Sequence, residues 1–241
     1  MTREVPTLWH LKPSNFNEKA RWALDYKGIP HRRIQPTPGA HMVIALALTR
    51  RVATLPVLKV DGRPIGDSSR IIAALEQRVP DPPLYPPDAG SRQRALELEE
   101  FFDENLGPGV RCVAFSKLLG NPKFRGAGPP AMAALIRRRY RVTERAAAQS
   151  LLKVRAAMDL IADLLEGGDH LVGEQFTVAD LAAAALLAPL LGPPQLPYRD
   201  PKTRLPDDLE GIVAELRSLP AGSWVMRTYE RYRPPSVEVE A

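Results

Sequence analysis

Up to about residue 79 the apolar positions come in short clusters, and beyond it they lengthen into helical stripes. Thr7 to Leu11 is a compact apolar run suited to a strand. Asn15 to Lys27 then places Phe16, Ala20, Ala23 and Leu24 on one helical stripe, which Gly28 and Pro30 bring to an end. His31 to Gln35 predicts a second strand and Ala40 to Arg51 a second helix. Pro56 to Val60 predicts a third strand that closes at the Asp61-Gly62 turn, with Arg63 to Gly66 as the returning arm of a hairpin. From Ser68 onward, Ile71, Ile72, Leu75 and Val79 form the apolar face of a helix that stops at Pro80. The order is βαβ, then ββα.

The stretch from Val79 to Pro87 holds too many prolines for a helix or a sheet interior and reads as a linker. After it almost everything has helical spacing. Ser91 to about Asn105 predicts a helix that continues through Val110 to Leu119, kinked around Gly107-Pro108-Gly109. A Gly- and Pro-rich loop from Asn121 to Pro130 follows, and Ala131 to Glu166 can hold one long helix or two consecutive ones. Thr177-Val178-Ala179-Asp180 has the form of a capping box, with Phe176 and Leu181 placed as its hydrophobic staple. The segment it opens, Leu181 to Leu191, is apolar on all sides and is expected at the centre of its domain. Beyond the proline-rich stretch from Pro193 to Pro206, two shorter helices are expected near Asp207 to Ser218 and Gly222 to Tyr232. The chain is therefore expected to be α+β, with an α/β domain over residues 1–80, a linker over 81–90 and an all-α domain over 91–241.

Composition narrows the class of protein. The 241 residues are 44% apolar and 25% charged, which excludes wholesale disorder. The run from Leu181 to Leu191 falls well short of the roughly 20 residues that a membrane helix needs, so no membrane partner is expected. Charged residues interrupt Met1 to Arg21 too often for a secretory segment, which points to the cytoplasm. The single cysteine, Cys112, excludes an internal disulfide and a Cys-x-x-Cys redox pair, and its apolar neighbours make it an expected buried, inert thiol. His10, His31, His41 and His170 show no metal-ligand spacing, so no metal is expected. A net charge of +5 is small for a nucleic-acid binder of this length. Arg137-Arg138-Arg139, with Arg141 and Arg145, reads as a solvated helix face because no aromatic platform accompanies it.

Four motifs, taken together in their order, resemble the soluble glutathione transferase superfamily. Leu8 to Arg21 is similar to the family's first strand, active-site loop and start of the first helix, with Ser14 where serine- or cysteine-type members carry the catalytic residue. Leu55-Pro56-Val57-Leu58 resembles the segment whose proline is cis and whose preceding backbone binds the cysteinyl unit of glutathione. Gly66-Asp67-Ser68, followed by Ile71-Ile72, resembles the acid-serine pair that holds the γ-glutamyl group. The Phe176 to Asp180 motif is similar to the one that precedes the family's buried sixth helix. The resemblance implies a thioredoxin-like first domain, an all-helical second domain, a homodimer, glutathione as co-substrate and a small electrophile as second substrate in a detoxifying transfer.

The chemistry the resemblance implies rests on Ser14. A free thiol has a pKa near 8.5, so about 3% is thiolate at pH 7, and the thiolate is the nucleophile. A serine hydroxyl at the positive end of a helix can donate a hydrogen bond to sulfur while the helix dipole adds to the field. No Tyr lies in the first strand, where His10 stands at about the tyrosyl position, and no Cys stands at position 14. That disfavours a tyrosine-type enzyme and a thiol-disulfide reductase. Asp67 is expected to pair with the glutathione ammonium and Ser68 with the γ-glutamyl carboxylate. The glycyl carboxylate needs a cation, for which His41, Arg50 and Arg51 are candidates, and Arg111 and Phe115 are candidates for the electrophile pocket. Ser14 equally fits a plain helix cap, with Asn15 and Glu18 as a competing capping pair. A non-catalytic binding or interaction protein that keeps the fold is the alternative reading.

Overall fold

The computed structural model describes residues 4–37, 39–119, 121, 130–199 and 204–240. Most of the loop expected from Asn121 to Pro130, and part of the stretch from Pro193 to Pro206, lie outside the described residues. The short apolar runs form strands β1 (Thr7–Trp9), β2 (Arg32–Ile34), β3 (Val57–Val60) and β4 (Arg63–Gly66) in one sheet of order β2-β1-β3-β4. β1 runs parallel to β2, with Leu8 opposite Arg33, and antiparallel to β3, with Leu8 opposite Leu58. The hairpin of β3 and β4 turns at Asp61 and Gly62, both at positive φ. Helices α1 (Asn15–Tyr26), α2 (Ala40–Thr49) and α3 (Ser68–Arg78) complete the thioredoxin-like arrangement that the βαβ-ββα order predicts.

The proline-rich linker is held by α1 and α3. The Lys27 ammonium at the end of α1 donates to the carbonyls of Val79 and Pro82 and pairs with Glu76 at 2.6 Å, while the Glu76 carboxylate accepts from the Leu84 and Tyr85 N–H groups. The helical part follows as α4 (Ala89–Phe101), a π-helical turn (Phe102–Leu106), α5 (Gly107–Leu118), α6 (Pro130–Arg139), α7 (Glu144–Leu165), α8 (Val178–Leu191), α9 (Asp207–Ser218) and α10 (Pro220–Tyr232). The expected kink is this π turn, just ahead of Gly107-Pro108. Proline has no N–H to continue the i−4 ladder, and widening the preceding turn absorbs the mismatch. The region from 131 to 166 resolves into two helices. Arg141 turns the chain at φ +52°, and the Thr143 hydroxyl caps the second helix by accepting from the Ala146 N–H at 3.1 Å.

The apolar helix α8 is the axis of the helical part, packed on α1, α4, α5 and α10. Its N-terminus carries the predicted capping box: the Thr177 hydroxyl caps the helix, and the Asp180 carboxylate accepts from the Thr177 N–H at 2.8 Å. Asp180 also accepts from the Leu171 N–H at 2.7 Å. α1 is wedged between the sheet and α8, so it buries Asn15, Asn17, Glu18, Lys19, Arg21 and Asp25 along with Ala20, Trp22, Ala23 and Leu24. Its buried charges are compensated. Lys19 meets Glu99 and Asp103, Glu18 meets Arg21 and Arg233, and Asp25 meets Arg33 and Arg233. After α10 the chain returns to the sheet edge, where the Val239 N–H donates to the His31 carbonyl at 2.9 Å.

Candidate active site

Ser14 ends the loop after β1 and caps α1, its oxygen accepting from the Asn17 N–H at 3.4 Å. A second donor reaches the same oxygen, since Asn17 Nδ2 lies 2.7 Å from Ser14 Oγ. The Asn17 amide has one possible orientation: its oxygen accepts from the Leu11 N–H at 3.1 Å and its nitrogen donates to the Leu55 carbonyl at 3.1 Å. A serine oxygen has two acceptor lone pairs and one proton to donate. Asn17 fills both lone pairs, so the hydroxyl proton is what Ser14 has left to offer. Ser14 is therefore a helix cap with one proton left to donate, and it lines a cavity. Glu18 does not compete for the cap, because its carboxylate is taken by Arg21 and Arg233.

That cavity, about 390 Å³, opens between the sheet-bearing part and the helical part, and its size falls within the range for small-molecule sites. Ser14, Leu55, Pro56, Asp67 and Ser68 all line it. The Leu55–Pro56 bond is cis. Leu55 is buried, and its N–H has no acceptor among the described residues. Asp67 holds φ +79° and caps α3 by accepting from the Ser69 and Arg70 N–H groups, each at 3.1 Å. A non-glycine residue held in that region is strained, a feature concentrated at ligand sites. The hydroxyl of Ser68, the first residue of α3, has no partner among the described residues.

Of the three cations considered for a glycyl carboxylate, His41 at the start of α2 lines the cavity, while Arg50 and Arg51 are exposed at the helix end and do not. Burial lowers the His41 pKa below the ordinary imidazole value. From the helical part, Pro108, Val110, Arg111, Ala114, Phe115, Tyr140 and Pro189 form the opposite wall. Cys112 is half-buried and does not line the cavity. Arg137 is no idle member of a solvated face: its guanidinium donates to the Ser116 and Leu119 carbonyls at the end of α5. Asn17 is the residue that sequence reasoning missed. Its spacing of three from the cap was the available signal, and helix interiors offer many such asparagines.

Behind the active-site loop, Arg21 donates to the Leu11 and Lys12 carbonyls and meets His10 Nδ1 at 2.9 Å. Burial, then the charges of Arg21 and Arg33, hold the His10 imidazole down to about 3. His10 is thus a neutral strut for the loop and does not line the cavity. Among the described residues, no group of three His, Cys, Asp or Glu side chains is placed to hold a metal, and no helix is long and apolar enough to cross a membrane.

Comparison with known proteins places this geometry in a family. Residues 8–83 match the model of the glutathione S-transferase N-terminal domain, and residues 122–195 match that of the C-terminal domain. The chain belongs to the glutathione S-transferase superfamily. Over 109 residues it is 32% identical to the probable maleylacetoacetate isomerase 1 of Drosophila melanogaster. That match covers 43% of this chain and 44% of the length of the relative. Among solved structures, a glutathione S-transferase from Xanthobacter autotrophicus aligns with a TM-score of 0.67 at 21% identity, over 96% of each chain. One from Methylobacterium radiotolerans, in complex with glutathione sulfonate, aligns at 0.59 and 24% identity over 98% of each chain. At these identities the structures establish the shared fold.

Proposed function

We propose that this protein activates the thiol of glutathione, or of a related low-molecular-weight thiol, for attack on a small electrophile. The observation that carries this reading is the Ser14 hydroxyl, whose two acceptor positions are filled by Asn17 and whose proton is left for the cavity. A thiolate there accepts the Ser14 proton in a hydrogen bond and lies at the positive end of α1, so it is favoured over the thiol without any proton transfer from serine. Lowering a thiol pKa by about 2 units takes about 2.7 kcal/mol of such preference. In this reading the Leu55 N–H meets the cysteinyl carbonyl, Ser68 the γ-glutamyl carboxylate, Asp67 the ammonium and His41 the glycyl carboxylate. Residues 1–80 hold the thiol and residues 91–241 supply the wall against which the electrophile rests. The thiolate sulfur bonds to the electrophilic carbon, whose leaving group or π electron pair departs. Addition to a conjugated double bond followed by expulsion of the same thiolate would be an isomerisation, the variant to which the name of the Drosophila relative points. Family membership supports a cytoplasmic, detoxifying homodimer, which sedimentation would test.

The reading is tested by titrating the thiolate absorbance of bound glutathione against pH, in the wild type and in Ser14→Ala. The wild type is expected to hold the thiol pKa well below 8.5, and the variant to return it toward 8.5. Bound glutathione with an unshifted thiol in both proteins would leave the fold as a non-catalytic binding module.

A further inference from the structure

On the cavity wall built by the helical part, Arg111 stands among the apolar lining residues Pro108, Val110, Ala114, Phe115 and Pro189. Its guanidinium lies 4.5 Å from the ring centre of Tyr140, which also lines the cavity. The Tyr140 ring is braced in turn by Phe115, edge-on at 5.7 Å between centroids, and its own face is approached by Arg139 at 5.8 Å. Two guanidinium groups thus share one aromatic ring with no carboxylate between them. Every other buried or half-buried arginine among the described residues, namely Arg21, Arg33, Arg78, Arg137, Arg155 and Arg233, donates to a carboxylate or a carbonyl. Arg111 has no such partner there. The stretch 122–129 has no Asp or Glu in its sequence to supply one. Burial is the largest influence on the Arg111 pKa, which lies below the ordinary arginine value.

A half-buried cation in such a wall, with no counter-charge among the described residues, is disfavoured unless a ligand completes it. We infer that the electrophile half of the cavity takes a planar, conjugated or aromatic substrate that bears a carboxylate, with Arg111 forking onto the carboxylate and Tyr140 and Phe115 flanking the ring. This rests on the thiol-activating reading above and specifies the class of its second substrate. The carboxylates of glutathione do not answer the same need in that reading. They face Ser68 and His41 on the other wall, where the carboxylate among the lining residues, Asp67, caps α3 through Oδ1 and meets the ammonium in that reading. A planar guanidinium fork suits a carboxylate better than a point charge does, so lysine would replace it only in part.

The test is calorimetric titration with two glutathione conjugates that differ in one group, S-(4-carboxybenzyl)glutathione and its uncharged amide, S-(4-carbamoylbenzyl)glutathione. The wild type is expected to bind the carboxylate about tenfold more tightly than the amide, a preference of the size of one charge-assisted bond. Arg111→Gln is expected to erase that preference while leaving the affinities for the amide and for glutathione within about twofold, which also reports an intact fold. Arg111→Lys should restore part of it. Equal affinity for the two conjugates in the wild type, or the same preference in Arg111→Gln, would overturn the assignment. A loss of glutathione affinity in Arg111→Gln would also overturn it, by moving Arg111 to the thiol substrate. If glutathione itself fails to bind, the thiol-activating reading falls for glutathione. Binding of free 4-methylbenzoate then tests Arg111 alone: binding that Arg111→Gln removes supports the carboxylate subsite, and no binding in the wild type rejects it.

Discussion

Asn17 decides what the hydroxyl of Ser14 can do. With its amide pinned between the Leu11 N–H and the Leu55 carbonyl, it can only donate to Ser14, and Ser14 can then only donate onward. Reversing that polarity should be worse than deleting it. In Asn17→Asp the carboxylate would accept the Ser14 proton and place a negative charge beside the sulfur. The thiol pKa of bound glutathione is expected to rise at least as far as in Ser14→Ala, and Asn17→Ala should fall between that value and the wild type. The same absorbance titration reads all three. An Asn17→Asp protein with an unshifted thiol would show that Asn17 does not set the direction of the hydroxyl.

Among the elements, α1 and the start of α5, both on the rim of the cavity, fit closely. The Asn15 amide donates to the carbonyls of Gly107 and Leu186, tying α1 to α5 and α8 at once. A Cβ on Gly107 would stand 2.5 Å from Phe16 Cζ and 3.1 Å from Leu186 Cδ2, so the Phe16 ring or the helix that carries it must shift. Gly107→Ala is expected to lower stability by about 1–3 kcal/mol, the range for overpacking, and to weaken glutathione binding because Phe16 lines the site. Urea denaturation checks the first effect and calorimetry the second. Unchanged values of both would mean that the helices part without cost. The kink was legible here from Gly107-Pro108-Gly109, whereas the close approach was not. A glycine signals freedom of the backbone, and only the partner helix shows which surface needs its missing side chain.

Across the whole molecule, the last segment of the chain locks back onto the first helix. Arg233 donates to Glu18 at 2.8 Å and pairs with Asp25 at 2.9 Å, while the Val237 N–H donates to Asp25 at 3.1 Å. Glu18 in turn holds Arg21, which braces the active-site loop and His10. The buried His10 makes overall stability depend on pH. Its native pKa of about 3 lies below the ordinary value of 6.5, so the unfolded chain takes up the proton first as pH falls. The contribution is complete above pH 6.5 and is lost progressively down to about pH 3, amounting to a few kcal/mol. His31, also depressed by burial, adds to the same trend. His10→Gln should flatten, though not abolish, the fall in urea midpoint across that window. An equally steep fall in the variant would remove His10 as its cause.

The elements and their order were written along the chain. Apolar periodicity marked β1 to β4 and most of the helices, because a strand or a helix is a local object whose period is written in consecutive residues. It ran α4 into α5 and left α6 and α7 open as one helix or two. The family resemblance that the chain carries also pointed to Ser14, Leu55, Pro56, Asp67 and Ser68, all of which line one cavity. Tertiary structure alone decided which surfaces meet. The stripe of Phe16, Ala20, Ala23 and Leu24 read as the one buried face of α1. The helix is covered nearly all round because α4, the π turn and the returning chain end meet its charged residues, and partners 80 to 215 residues away leave no trace in local spacing. The same holds for Arg51, adjacent to the site in sequence yet turned outward, and for Arg111, which faces the site across the interface of two folding units.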